Sequence, residues 1–302
     1  MSTELLVETG HSATTRPLTP APGAAEVRPL QSDRLSHFRT QHEFLHYGEA
    51  ETVEQFIAFR QWADQRGLPL LILGNGSNVL FVRKQIRALV VKNKLPRTLR
   101  EIDEKTIEVS STVSVAQIIK WCKERDLETC FYLASVPATI GGAIAMNAGR
   151  GRKHNRSIFD FVKSVTFLEG NEVKTLQRHE IAIGYRQTPF TGLTSRLVLS
   201  AELTFPPRCG EGDAGRERVL WSKENQDHSA PNCGSVFKEC HWRIMSLLMG
   251  RRFGTAQFSP RTGNWLLSRG ASSRPLVWLI RLAQALHRLA GRRAVVELIQ
   301  VD

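Results

Sequence analysis

Short apolar runs and helix-spaced apolar stripes succeed one another along the chain, which predicts an α+β fold with mixed sheets and short crossovers. Residues 1–33 show neither pattern. Pro17, Pro20, Pro22 and Pro29 sit there among Thr, Ser and Ala, and a disordered tail is expected. Thr52 with Gln55 three positions on forms a capping-box pattern, and Val53, Phe56, Ile57 and Ala63 make one helical face that Gly67 ends. Residues 68–73 read as a buried strand, followed by strands at 79–82, 88–92 and 106–111. Ser114 and Gln117 repeat the box ahead of a helix through Arg125. Its apolar face is Val115, Ile118, Ile119 and Cys122, so Cys122 reads as core rather than as a reactive thiol. Strands are expected at 161–169 and 196–205, and the segment 206–215 is the best boundary between domains. Helices follow at 216–226, 242–249 and 275–289, the last with Leu276, Leu279, Ile280, Ala283 and Leu286 on one stripe, and residues 294–301 close the chain as a strand.

Composition sharpens this picture in one respect. At 302 residues and 41% hydrophobic, the chain has ample length for a core. No apolar segment approaches the roughly 18 residues of a membrane span, so no membrane insertion is expected. The N-terminus lacks a basic-then-apolar signal, so a cytoplasmic protein is expected. Five cysteines at irregular spacing give no disulfide framework. The net charge of +12 is uneven: residues 241–302 hold ten Arg, no Lys and two acids, a net +8. Arginine-rich surfaces suit phosphate-bearing ligands, because the guanidinium fork pairs two oxygens at once. No zinc-finger or RNP-type signature is present, so a phosphorylated small molecule fits better than nucleic acid; a high-arginine composition without ligand meaning stays open.

Four stretches could carry chemistry. In Gly74-Asn75-Gly76-Ser77-Asn78 an apolar run enters a glycine turn and another leaves it. Outward N–H groups in such a turn make an anion nest; the alternative is a hairpin turn with no ligand. Residues 135–149 are nearly all small, with Pro137 fixing φ and Gly141-Gly142 offering unhindered amides, although a tightly packed helix would look the same. Arg186, beside Tyr185, can clamp a carboxylate or be an ordinary surface arginine. Ser235 lies outside a G-x-S-x-G elbow and reads either as a turn serine or as a proton donor. His228, Cys233, Cys240 and His241 match no zinc spacing, so no metal is expected.

These segments, in this order, resemble the bacterial UDP-N-acetylenolpyruvoylglucosamine reductases of peptidoglycan synthesis over roughly residues 34–302. The resemblance implies an FAD-binding domain of the vanillyl-alcohol-oxidase (PCMH) type in two subdomains at 34–206 and a C-terminal α+β substrate-binding domain at 207–302. Gly74, Asn75, Gly76, Ser77 and Asn78 would hold the FAD pyrophosphate. Ser135, Pro137, Ala138, Gly141, Gly142, Ala145 and Asn147 would line the rest of the flavin. NADPH would reduce the flavin and then leave so that UDP-GlcNAc-enolpyruvate can enter. Hydride would go to C3 of the enolpyruvyl group, with Ser235 protonating C2, Arg186 polarising the carboxylate and Glu297 assisting. Read alone, Glu297 is one outward position in an alternating strand. A monomer is expected. The chain departs from the family pattern in three places. Lys238 is followed by Glu239-Cys240-His241 instead of Asn-Pro, which bears on the UDP portion of the substrate. The segment 190–197 is short, as in the compact subgroup, and residues 249–263 are unusually rich in arginine.

Overall fold

A mixed four-stranded sheet carries the glycine loop. Its order is Arg28–Ser32, His42–Ala50, Gln85–Asn93, Leu70–Leu73, with the first pair antiparallel and the other two parallel. The computed structural model describes residues 16–17, 26–193, 196–209 and 212–302. The tail expected through residue 33 ends earlier than that, because Arg28–Ser32 finds a free strand edge at His42–Ala50 and tucks Leu30 against the sheet's core. Arg16–Pro17 also pairs, with Glu172–Gln177. The rest of the expected tail, and parts of the segments 190–197 and 206–215, lie outside the described residues.

The parallel pairing needs a crossover, which the helix Val53–Asp64 supplies. Thr52 caps it by accepting from the Gln55 amide at 3.3 Å, but the Gln55 side chain reaches the Glu51 amide (2.7 Å) instead of that of Thr52. The expected box is therefore displaced by one residue. Phe56, Ile57, Phe59 and Ala63 bury against the sheet. The Phe59 ring sits where Gly48 has no side chain: a Cβ there would lie 2.3 Å from it.

A second, antiparallel sheet of six strands runs Arg16–Pro17, Glu172–Gln177, Val162–Glu169, Arg196–Thr204, Thr106–Ser110, Leu99–Glu101. The helix Val115–Glu124, with its Ser114–Gln117 capping box complete, packs into this sheet's core through Val115, Ile118, Trp121 and Cys122. Trp121 takes a place the stripe reading left to Ile119, which is only half-buried. Cys122 lies in the core, and burial pushes its thiol up to about 12. The short helix Ile140–Ala145 shares this core.

Of the remaining elements, Ala214–Asn225 packs on residues 131–133, and the C-terminal ones form a core of their own against the first sheet. Helices Ala214–Asn225, Trp242–Leu248 and Arg274–Leu289 appear near their expected places. In the last, His287 is buried where Leu286 is only half-buried. The histidine is satisfied there, with Nε2 accepting from the His241 amide (2.9 Å) and Nδ1 2.7 Å from the Ala283 carbonyl. The core around Leu276, Leu279 and Ile280 is completed by Phe38 and Leu80 from the opposite end of the chain.

The expected terminal strand is two strands with different partners. Val295–Val296 pairs antiparallel with Phe237–Glu239, and Ile299–Val301 pairs parallel with Val79–Phe81, the strand that leaves the glycine loop. Glu297 and Leu298 make the step between the two sheets. Gly48→Ala should lower stability by about 1–3 kcal/mol, since the fully buried Phe59 ring cannot move aside. Chemical denaturation checks this, and Phe59→Leu in the same chain should return part of the loss.

Candidate active site

The first sheet, segments within 131–154 and 185–192, and the C-terminal residues line a cavity of about 880 Å³, within the range of cofactor sites. The glycine loop forms one wall. Gly76 adopts φ +70°, and a Cβ there would lie 2.2 Å from the Leu35 carbonyl, so only glycine fits. None of the backbone N–H groups of Asn75, Gly76, Ser77 and Asn78 donates to a described residue. Unpaired amides in a cavity wall are a site for an anion. The loop is held from outside. Lys92 Nζ donates to the Gly74 carbonyl, Asn75 Nδ2 to the Pro137 carbonyl (2.8 Å) and the His37 amide to the Gly76 carbonyl (3.1 Å).

The small-residue stretch forms the adjoining wall, differently from expectation. The Gly141 and Gly142 amides are not free. Gly141 donates to the Ser111 carbonyl (2.9 Å), and Gly142 to the Thr139 hydroxyl that caps the helix (3.3 Å). Helix closure takes these donors, and Gly141 is small because a Cβ would meet Ser111 Cβ at 2.8 Å. Ala138, Gly142 and Ala145 line the cavity with Gly74, Asn75, Gly76, Ser77 and Asn78, whereas Ser135, Pro137, Gly141 and Asn147 stand behind its surface.

Arg186 is the most constrained side chain of the site. Its φ is +56°, a region that a non-glycine residue enters only when its surroundings hold it there. Nη1 donates to the Asn147 carbonyl (3.3 Å) and Nη2 to the Gly149 carbonyl (3.0 Å). Nε lies 2.9 Å from Glu297 Oε1. The Nε–H is not aligned for a hydrogen bond there, so this contact is an ion pair. Both side chains are nearly enclosed, 16% and 11% exposed. Burial raises the Glu297 carboxyl above its ordinary value, against the opposing pull of Arg186 and Lys238.

Glu297 ties the remaining parts together. Its amide donates to the Val236 carbonyl (2.8 Å), and its own carbonyl accepts from Asn78 Nδ2 (3.3 Å). Ser235, one residue before Val236, lies on the cavity wall, and its hydroxyl bonds to no described residue. Gly234 (φ +72°) makes the turn that sets it there, and Asn264 fastens the next residues by bonding the Val236 and Phe237 amides and the Phe237 carbonyl. Arg186, Ser235 and Glu297 thus share one cavity. Glu239 is exposed on the strand Phe237–Glu239, outside the cavity wall. Cys233 is buried near the Ser36 hydroxyl and its thiol is pushed up to about 12, while His241 is bonded to His287; no cluster of three metal-ligating side chains gathers among the described residues.

Sequence reading missed the fourth wall. Ala214, Glu217, Arg218 and Trp221 line the cavity at helical spacing i, i+3, i+4 and i+7. Their spacing is a legible signal, but the mixed polar and apolar content disguises it as a surface helix. Arg150, from the loop after the small-residue stretch, also lines the cavity.

Residues 45–174 match the family model described as an FAD binding domain. Among relatives, the UDP-N-acetylenolpyruvoylglucosamine reductase of Methylococcus capsulatus is 33% identical over 67% of this chain and 68% of its own. That of Syntrophotalea carbinolica is 31% identical over 72% and 74%. The crystal structure of the reductase of that name (MurB) from Thermus caldophilus superposes with a TM-score of 0.72 at 19% identity, covering 92% of this chain and all of that one, and so shares the fold.

The residues fit an FAD. The unpaired amides of the glycine loop, with Lys92 behind them, suit its pyrophosphate, and the small side chains of the adjoining wall leave room for a flat ring. Gly76→Ala should leave the purified protein with less than about a tenth of the normal flavin, because the strain at φ +70° and the clash with Leu35 dismantle the loop. Absorbance of the purified variant checks this. The cavity, the FAD-binding module and the relatives agree: the chain belongs to the UDP-N-acetylenolpyruvoylglucosamine reductase family.

Proposed function

We propose that the protein reduces UDP-GlcNAc-enolpyruvate to UDP-N-acetylmuramate with NADPH, as a cytoplasmic step of peptidoglycan precursor synthesis. The observation that carries this is the meeting of Arg186, Glu297 and an unpartnered Ser235 hydroxyl beside the glycine loop. On this reading, residues 34–206 chiefly hold the flavin and residues 207–302 chiefly hold the substrate. The bound flavin supplies a hydride to C3 of the enolpyruvyl group and is recharged by NADPH.

The chain's own residues handle the charge that this creates at C2 and on the carboxylate. Arg186 is pinned by two backbone carbonyls and by Glu297, so its remaining N–H groups are pre-aimed at a substrate carboxylate. Fixed charge of this kind needs no reorganisation as electron density shifts onto the carboxylate. Ser235 Oγ–H, turned to the cavity and unused by the fold, gives its proton to C2 and is recharged from solvent. Glu297 pairs with Arg186 in the resting site; once the substrate carboxylate takes the Arg186 charge, Glu297 gains a proton and donates a hydrogen bond to that carboxylate, whereas its ionised form repels it.

Two tests follow from this division of labour. Ser235→Ala should leave flavin reduction by NADPH within about twofold of normal and slow reoxidation by substrate by about 10²–10⁴. Stopped-flow measurement of the two half-reactions separates them, and equal slowing of both would make Ser235 structural. The second concerns pH. The folded pKa of Glu297 is raised from an ordinary 4.5, so its neutral form persists above the pH at which an exposed glutamate ionises. The substrate's KM should therefore climb as pH rises through the raised value. Glu297→Gln, which is always neutral, should show no such climb, although its maximal rate falls because Arg186 has lost its partner.

A further inference from the structure

The placement of the C-terminal arginines says more than their number. All ten in residues 241–302 are exposed, and none takes part in an ion pair among the described residues. The two acids of the segment cannot neutralise them. Glu297 is enclosed in the active site, and Asp302 lies 3.8 Å from Arg83.

The same segment exposes large apolar side chains: Trp242 (69%), Leu247 (72%), Phe253 (41%), Trp278 (44%) and Leu289 (85%). Phe253 and Trp278 stack with ring centres 3.9 Å apart and 14° between planes, joining the hairpin at 252–258 to the long helix. The other end of that helix is joined to the helix Trp242–Leu248 by the His241–His287 hydrogen bond. Guanidinium groups are interleaved with the apolar ones, with Arg243 over the Trp242 ring at 5.4 Å and Arg251 Nε 3.4 Å from the Leu247 carbonyl. Of residues 241–302, Trp265, Glu297 and Ile299 line the cavity, and none of the arginines or exposed apolar side chains does, so they lie apart from the active site.

Exposed arginines without acidic partners invite a polyanion. Exposed tryptophan, phenylalanine and leucine among the arginines require a partner with an apolar layer immediately beneath its charge, which a nucleic acid does not offer at aliphatic leucines. We propose that this face docks the protein peripherally on an anionic lipid bilayer, with the arginines on lipid phosphates and the Trp242, Leu247, Phe253 and Trp278 side chains in the headgroup region. No helix among the described residues is long and apolar enough to cross a membrane, so the contact is a surface one. This reading is independent of the reaction proposed above.

Co-sedimentation of the full chain with vesicles tests it. Vesicles of equal parts phosphatidylglycerol and phosphatidylcholine should retain the protein at low salt, and those of phosphatidylcholine alone should not. High salt should weaken retention, because the arginines lie in water when unbound. The double variant Trp242→Ser/Trp278→Ser should bind at least about tenfold more weakly with flavin content and melting temperature unchanged. If the double variant melts early, Trp242→Ser alone carries the test. Arg251→Gln/Arg252→Gln/Arg281→Gln should abolish retention. The proposal is overturned if anionic vesicles fail to retain the protein, or if retention ignores the loss of the tryptophans. It is equally overturned if an oligonucleotide displaces the vesicles and binds both forms alike, which would mark a nucleic-acid surface instead.

Discussion

The enclosed ion pair between Arg186 and Glu297 is the constraint on which the site depends. Desolvating two charges is costly, and an isolated pair in this position would contribute little net stability. What justifies it is connection. The guanidinium also holds the carbonyls of Asn147 and Gly149, so one side chain fastens the small-residue wall, the turn at 184–187 and the C-terminal segment to each other. The positive φ of Arg186 is strain carried at this junction, and strained backbone held by its surroundings is typical of sites that must be rigid before substrate arrives.

Glu297 occupies its position because the chain changes sheets there. Two residues earlier the backbone pairs with the strand that follows Ser235, and two residues later with the strand that leaves the glycine loop. The step between sheets frees the Glu297 side chain from an alternating in-and-out pattern. Its backbone meanwhile bonds Val236 on one side and Asn78 on the other. The Ser235 segment and the glycine loop are therefore fixed to one short stretch of main chain, which explains how residues over two hundred positions apart keep a common geometry.

Much of this is legible in the sequence. Helices with clear stripes declare themselves through local chemistry, as do Val115–Glu124 with its capping box and Arg274–Leu289 with proline in its first turn, and so does the glycine loop between two apolar runs. What sequence could not convey was partnership. Residues 294–301 read as one strand because alternation is indifferent to which sheet it joins. Gly141 and Gly142 read as free amides because helix capping by Thr139 and contact with Ser111 are tertiary facts. The strand His42–Ala50 escaped notice because its polar residues are paid for by neighbours: His42 is bonded to Thr40 and to the Arg83 carbonyl, and the Tyr47 hydroxyl to Glu49. The cavity-lining face of Ala214–Asn225 is hidden by its polar content, because a mixed face has no apolar stripe.

If this cavity reduces an enolpyruvyl nucleotide-sugar through a bound flavin, one anaerobic titration will show it. The absorption spectrum of the purified protein should show bound flavin that bleaches on adding NADPH. UDP-GlcNAc-enolpyruvate should then restore the oxidised spectrum in proportion to the amount added. A flavin that bleaches but is not restored by this substrate would contradict the account.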